Sequence, residues 1–416
     1  MKVLVVGGGG REHAIVWKLS QSPKITKIYC APGNAGISKL AECVPIKAVD
    51  IMGMCEFAEE NKIDLTVIAP DDPLVLGMAD DMEKRGIRAF GPKKAAAAIE
   101  GSKVFSKNLM KKYGIPTAAY EVFESSGDAV TYLEKSSYPV VIKAEGLALG
   151  KGVIIAQNFG EAKQAVIEIM DEKRFGQAGN RVVVEEFLKG REISVLAFCD
   201  GKTLKPMCSA QDHKRALDND EGLNTGGMGA YSPSPIYDEK MAKECRDKIF
   251  IPTVRAMSAE GCPFSGVLYF GLMATEDGIK VIEYNARFGD PEAQVVLPRL
   301  KTDLLDIFLA VCDERLDEIE IEWSDDACAC IIMASGGYPS QYTTGHIISG
   351  IDDCSLVFHS GTAKSKGNVV TAGGRVIGVC ALGETLGMAV KNAYADVEKI
   401  SFSDMHYRRD IGKRKE

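Results

Sequence analysis

The chain has no C-x-x-C pair, and its five histidines stand at no zinc-ligand spacing. A zinc finger, a zinc ribbon and a thioredoxin-like redox centre are therefore excluded. Its twelve cysteines are scattered, with Cys328 and Cys330 the closest pair. They read as reduced thiols, which implies a cytoplasmic protein. No window approaches the roughly 18 apolar residues of a membrane helix, and the apolar run after Met1 is too short for a signal peptide. Repeats and low-complexity tracts are absent. Positive charge is not in excess: 50 Lys and Arg stand against 58 Asp and Glu, a net charge of −8. That balance speaks against nucleic acid as a partner but leaves room for local phosphate pockets.

What is present is an ordinary globular composition, with 416 residues, 46% apolar and 26% charged. The length calls for two to three domains. Residues 1 to about 100 alternate strands (Val3–Val6, Lys27–Cys30, Leu65–Ala69, Ile87–Phe90) with helices (Arg11–Ser20, Ile51–Glu60, Gly77–Lys84). This is the pattern of a parallel sheet covered on both faces. One helix is expected over Lys94–Tyr113, then strands Thr117–Phe123, Pro139–Ala144, Val153–Ala156, Arg181–Phe187 and Ser194–Cys199, with a helix over Asn158–Met170. A polar loop runs from Gln211 to Pro235. Helix Glu239–Glu260 precedes strands Gly266–Ala274 and Ile279–Asn285. From Cys328 short glycine-rich strands and a last helix over Glu384–Ile400 form a small α+β unit. The expected division is 1–102, 103–295, a linker 296–327, and 328–416. No further catalytic unit is expected after residue 416, so the chain reads as monofunctional.

The most informative stretch is Val281-Ile-Glu-Tyr-Asn-Ala-Arg-Phe-Gly-Asp-Pro-Glu-Ala-Gln294. It begins as a strand, so Glu283 and Asn285 point the same way. A carboxylate and an amide oxygen side by side suit Mg²⁺, a hard cation that keeps waters and substrate phosphates. Arg287 follows, able to meet phosphate oxygens in a fork. Asp290-Pro291-Glu292 adds a rigid acidic turn. The plain alternative is a strand with a polar edge.

Gly7-Gly-Gly-Gly10-Arg11-Glu-His13 joins the first strand to the first helix, where glycines and the helix N-terminus suit a phosphate. A dinucleotide fits poorly: the third glycine of G-x-G-x-x-G falls on Glu12, and the second strand runs into Cys30-Ala-Pro-Gly rather than an acid. Pro32-Gly-Asn34-Ala-Gly36 and Ala69-Pro-Asp71-Asp72-Pro73 follow the next strands, with Asp71 or Asp72 suited to sugar hydroxyls; both are also plain loops. Lys143-Ala-Glu-Gly-Leu-Ala-Leu-Gly150-Lys151-Gly152 is not a Walker A loop, since its glycines are one residue too close. It reads as a flap over phosphates, with Lys143 reaching the α- and β-phosphates, or as a glycine-rich hairpin. After strand Val182–Val184, backbone at Glu185 and Glu186 suits an adenine edge and Glu192 ribose hydroxyls. In the Gln211–Pro235 loop, Asn224, Gly226 and Gly227 suit a small carboxylate, and Asp212 an amine; His213 reads as a solvated loop histidine. His359-Ser-Gly-Thr362 and Thr371-Ala-Gly-Gly-Arg375 read as substrate loops or hairpin turns.

Together these residues resemble the ATP-grasp enzymes and, within them, the phosphoribosylamine–glycine ligases (glycinamide ribonucleotide synthetases). The strings that carry the resemblance are Gly9-Gly10-Arg11-Glu-His13, Ala31-Pro-Gly-Asn34-Ala-Gly36, Gln211-Asp212-His-Lys214-Arg215, Asn224-Thr-Gly226-Gly227-Met-Gly-Ala-Tyr-Ser-Pro233 and Arg287-Phe-Gly-Asp290-Pro291-Glu292. The resemblance implies a pre-ATP-grasp parallel-sheet domain, an ATP-grasp domain and a small α+β domain. It implies that ATP, glycine and 5-phosphoribosylamine give glycinamide ribonucleotide, ADP and phosphate through glycyl phosphate, in de novo purine biosynthesis. It also implies Glu283 and Asn285 as Mg²⁺ or Mn²⁺ ligands, and Lys103, Lys143, Glu185, Phe187, Leu188 and Glu192 as ATP contacts, with Gly150, Lys151, Gly152 and Glu186 beside them. Arg287, Asp212 and Lys214 are the expected catalytic residues, and a monomer is the expected state. Three departures stand out: Gly8 replaces a common Asn, Asp71 a usual Glu and Ala372 a common Asn. Many other ATP-grasp enzymes also carry a carboxylate on the strand before the metal strand; Gly266–Ala274 has none, so the metal would lean more on phosphates and water. Rival readings are another ATP-grasp ligase or carboxylase, an NAD-dependent oxidoreductase and a non-catalytic nucleotide-binding regulator.

Overall fold

The computed structural model describes residues 1–148 and 152–413. Gly150 and Lys151 lie outside the described residues. The first sheet comprises β1 (Lys2–Gly7), β2 (Lys27–Pro32), β3 (Glu42–Cys43), β4 (Leu65–Ile68) and β5 (Ala89–Phe90). Its order is β3-β2-β1-β4-β5, parallel throughout. The winding direction reverses at β1, and the crevice beyond such a switch point is where open α/β sheets take ligands. The Gly7–Gly10 loop leaves β1 at that end. The stretch after β4, expected as a loop, is a short helix, Asp71–Leu76. Pro73 is tolerated there because first-turn N–H groups have no helical partner, and Asp71 and Asp72 suit the helix dipole.

The single helix expected over Lys94–Tyr113 is two, Lys94–Gly101 and Lys103–Lys112. Ser102 turns the chain with φ −134° and ψ 109°, and its hydroxyl caps the Phe105 N–H at 3.1 Å. A periodicity count misses this break because helix formers flank it on both sides. The break matters: Glu100 ends one helix and Lys103 begins the next.

The second sheet, β6 (Tyr120–Phe123), β7 (Val140–Ala144), β8 (Val153–Ala156) and β9 (Val182–Glu186), is antiparallel in the order β6-β9-β7-β8. It has its own core, with Ile142, Val182 and Val184 packed on Leu133, Ala162 and Val166 of two covering helices. β10 (Arg191–Asp200) and β11 (Leu204–Pro206) follow. The segment expected as a polar loop, Gln211–Pro235, then holds four short strands, β12 (Gln211–Asp212), β13 (Arg215–Leu217), β14 (Glu221–Asn224) and β15 (Gly229–Ser232). β16 (Ser265–Thr275) and β17 (Gly278–Asn285) complete the third sheet, β11-β10-β16-β17.

The last unit adds β18 (Ala327–Ser335), β19 (Leu356–His359), the hairpin β20 (Thr362–Ser365) and β21 (Asn368–Thr371), and β22 (Arg375–Gly383), with helix Leu386–Val397 against the sheet. Its main sheet runs β12-β15-β18-β22-β19. Two strands from the middle of the chain thus extend the C-terminal sheet, β15 pairing with β18 and β12 with β15. The 296–327 segment is no exposed connector: helix Leu304–Cys312 buries Leu304, Leu305 and Phe308, and Phe308 stacks on Phe90 at 3.8 Å between ring centroids. Among the described residues, no helix is long and apolar enough to cross a membrane.

Candidate active site

The three units meet around one cleft of about 1830 Å³. Its floor is β17. Strict alternation would put Val281, Glu283 and Asn285 on one face, yet Val281 and Tyr284 are both buried in the core. A β-bulge resolves the conflict. Leu272 pairs with Val281 and Gly271 with Glu283, so Ile282 has no partner. One extra residue rephases the strand and turns Glu283 and Asn285 to the cleft together. Gly271 stands opposite, where a Cβ would crowd Glu283 Cγ at 3.1 Å.

Cations surround Glu283. Lys214 Nζ lies 3.8 Å from Glu283 Oε1 and 3.3 Å from Glu192 Oε2. Burial would raise the Glu283 pKa, but Lys214, Lys143, Lys103 and Arg287 hold it below the usual carboxylate range. The Glu192 carboxylate raises the pKa of Lys214 against the cost of burial, with Asp212 and Glu283 adding to it. Asp212 is pushed up to about 8, chiefly by burial; Lys214 opposes, while Glu292, Glu192 and Glu283 reinforce. An oxygen pair of one carboxylate and one amide, ringed by cations and open to the cleft, fits Mg²⁺ shared with phosphates. It does not resemble an all-protein cage, and no group of three His, Cys, Asp or Glu able to hold a metal occurs among the described residues.

Lys143 reaches the bulge: its Nζ donates to the Ile282 carbonyl at 3.2 Å and lies 2.9 Å from Glu185 Oε1. Lys103 Nζ donates to the Gly146 carbonyl at 3.1 Å. Glu185 has its carboxylate between Lys143 and Lys107, so that side chain is engaged within the protein. Glu186, Phe187, Leu188 and Gly152 line the same wall.

On the opposite wall, Arg287 pairs with Glu100 at 2.8 Å and feels Asp71. Glu100 Oε2 also accepts the Ala286 N–H at 2.7 Å. Glu292 accepts from Ser194 Oγ and Tyr269 OH, both at 3.0 Å. The glycine loop is capped from within: Glu12 Oε2 accepts the Gly9 N–H at 2.6 Å and Oε1 meets Arg11 Nε at 2.7 Å. Glu12 stands where the third glycine of a dinucleotide fingerprint would fall, and its carboxylate takes up the Gly9 N–H.

The C-terminal unit closes the cleft. Arg375 Nη1 donates to the carbonyls of Gly226 at 2.7 Å and Asp290 at 2.8 Å, and Nη2 lies 3.3 Å from Asp290 Oδ2. Gly227 has φ +112°, and a Cβ there would lie 2.5 Å from Pro291 Cδ. Asn224 and Gly226 line the cleft.

Not every expected residue does so. Asn34 spends its amide on the chain: Nδ2 donates to the carbonyls of Gly8 and His359, and Oδ1 accepts the N–H groups of Gly36 and Ile37. A Cβ on Gly36 would overlap the His359 ring and lie 2.5 Å from His13 Cε1. Gly10 packs on Gln294 and Ser360. These positions join the first and last units. His213, expected in solvent, is partly covered, and burial lowers its pKa to about 4. Glu100, Lys107 and Tyr269 escaped the sequence reading. Nothing local marks them: a glutamate ending an Ala-rich helix or a lysine within a lysine-rich one reads as surface. Gln294 left a trace as the end of the run that begins at Val281, and donates to Asp290 Oδ1 at 2.7 Å.

Comparison with known proteins agrees with this architecture. Three family models match in succession: the phosphoribosylglycinamide synthetase N domain over residues 1–100, its ATP-grasp (A) domain over 101–293 and its C domain over 328–414. A phosphoribosylamine–glycine ligase of Caldanaerobacter subterraneus is 51% identical, with 99% of each chain covered. One from Halalkalibacterium halodurans is 49% identical, covering 99% of this chain and 96% of its own. The crystal structure of a phosphoribosylamine–glycine ligase from Thermotoga maritima superposes with a TM-score of 0.85 at 33% identity, over 99% of this chain and 100% of its own. A biotin carboxylase domain from Hydrogenobacter thermophilus, solved with MgADP, shares the fold at a TM-score of 0.75 and 15% identity, over 98% of this chain and 91% of that one. With family matches running from the first parallel strand through the C-terminal sheet, the chain belongs to the phosphoribosylglycinamide synthetase family.

Proposed function

We propose that the cleft joins glycine to 5-phosphoribosylamine at the expense of ATP, giving glycinamide ribonucleotide, ADP and phosphate, in the de novo purine (IMP) pathway of the cytoplasm. The observation that carries this reading is the oxygen pair Glu283 and Asn285 with Lys103, Lys143, Lys214 and Arg287 disposed around it. Such a site is built for phosphoryl transfer, where positioning and charge stabilisation dominate. Mg²⁺, or Mn²⁺ on the same oxygens, would neutralise β- and γ-phosphate oxygens when bound by Glu283 and Asn285.

The glycine carboxylate oxygen attacks the γ-phosphorus and ADP leaves, giving glycyl phosphate. The phosphoribosylamine nitrogen then attacks the acyl carbon and phosphate leaves. Lys143, Lys103 and the backbone at Glu185–Leu188 hold the nucleotide, with Glu192 at its ribose. Arg287 and Lys214 face the transferring phosphoryl group, and Asp212 the amine. Asn224, Gly226 and Gly227, held by Arg375, cradle glycine with Asp290, Pro291 and Glu292. Gly9, Gly10, Arg11 and Asp71 serve the phosphoribosyl group, with Asn34 and Gly36 shaping their loop. Gly152, which lines the nucleotide wall, helps keep water from the acyl phosphate. The enzyme acts as a monomer.

ADP release is measured with glycine and phosphoribosylamine each omitted in turn. Release should need both. Turnover indifferent to glycine would exclude the reading and favour another ATP-grasp ligase; ATP binding without turnover would favour a regulator.

A further inference from the structure

Lys107 sits on helix Lys103–Lys112, 2% exposed, and its Nζ lies 2.9 Å from Glu185 Oε2. The other carboxylate oxygen of Glu185 lies 2.9 Å from Lys143 Nζ. All three side chains are buried. Lys107 also donates to Thr117 Oγ1 at 2.7 Å, and that hydroxyl donates to the Val281 carbonyl at 2.8 Å. Lys143 donates to the next carbonyl, Ile282. The triad therefore hangs on the two carbonyls that lead into the bulge before Glu283.

We propose that Lys107 is a positioning residue for nucleotide binding: by sharing Glu185 with Lys143, it leaves the triad one net positive charge, which Lys143 offers to a phosphate. The inference rests on the reading of Lys143 as a phosphate contact. A lone Lys143–Glu185 pair would be neutral, and a phosphate would have to break it. Two lysines on one carboxylate leave an excess charge that only an anion can satisfy. Lys107 itself is held by Glu185, Thr117 and the face of Tyr120 at 5.6 Å, so Lys143 is the member that reaches the bulge. Burial pulls the Lys107 ammonium down to about 8 while Glu185 opposes, so it is charged at neutral pH.

The test is calorimetric binding of ADP with Mg²⁺ to the full chain, with thermal unfolding recorded for each variant. Lys107→Met should weaken binding about tenfold, the size of one charge-assisted hydrogen bond. Lys107→Met combined with Glu185→Gln should bind within about threefold of the parent, because Lys143 is freed again. A merely structural Lys107 would make the double variant worse, not better. If Lys107→Met does not fold, Lys107→Gln, which keeps a donor for Thr117, carries the same expectation. Unchanged binding in the single variant, no recovery in the double, or failure of both single variants to fold would overturn the proposal. Lys143→Met separates the two readings: if it binds normally, the nucleotide assignment itself fails.

Discussion

The Glu100 carboxylate and the Arg287 guanidinium meet at 2.8 Å beneath the cleft, one from the end of helix Lys94–Gly101 and the other from the turn after β17. Both are largely buried, and burial raises the Glu100 pKa although Arg287 opposes it. Their mutual charge makes the placement of Arg287 depend on a residue far from it in sequence. Glu100→Ala would remove the carboxylate paired with Arg287, leaving the weaker influence of Asp71, and should cost about 1.5–3 kcal/mol. Urea denaturation measures this, and a loss below about 1 kcal/mol would refute the pairing as structurally important.

Glu283→Ala should lower kcat/KM by about a thousandfold or more, because the remaining amide oxygen of Asn285 cannot hold a hard cation alone. The fold should persist, since Glu283 faces the cleft and not the core. Parent-like kinetics over a Mg²⁺ titration would remove Glu283 from the metal site.

Arg375→Ala removes the donor for the Gly226 and Asp290 carbonyls together. We expect kcat/KM to fall about a hundredfold, the effect of a small misplacement at a reacting centre. Arg375→Lys should not rescue it, since one ammonium cannot reproduce the planar fork. Steady-state kinetics with glycine varied would show the loss.

Gly36→Ala should destabilise by about 1–3 kcal/mol through overpacking between His13 and His359. Chemical denaturation against the parent would detect it.

His13 and His359 are held neutral by burial, their pKa values lowered to about 3 and about 4. A depressed histidine keeps its full stabilising effect above the unfolded value near 6.5 and loses it as pH falls toward the folded value. At pH 5 each should cost about 2 kcal/mol relative to pH 7.5. Melting curves at both pH values should show the drop, and His359→Asn should shrink it. An unchanged drop would mean other groups govern acid stability.

Much of this molecule is legible in its sequence. The parallel first sheet follows from apolar strands alternating with helices, and the shared face of Glu283 and Asn285 from their spacing of two on a strand. The glycine loop reads as poor for a dinucleotide because Glu12 stands where the third glycine would, and its carboxylate caps the Gly9 N–H. The break at Ser102 and the strands inside 211–235 were not legible. Their hydrogen-bond partners, Glu145 for Ser102 and β18 for β15, lie dozens of residues away or more.

The sequence by itself therefore determined which groups are present: an acid and an amide two residues apart, a set of lysines and arginines, and a glycine-rich run. Only the tertiary structure decided their geometry. The bulge at Ile282 arises because Val281 and Tyr284 must both enter one core, and that demand turns Glu283 to the cleft. Glu100, Lys107 and Arg375 join the site because buried charges must find partners, and theirs stand on other elements. Local periodicity reports which face of a strand is apolar; it carries no information on which distant charge will complete a pair.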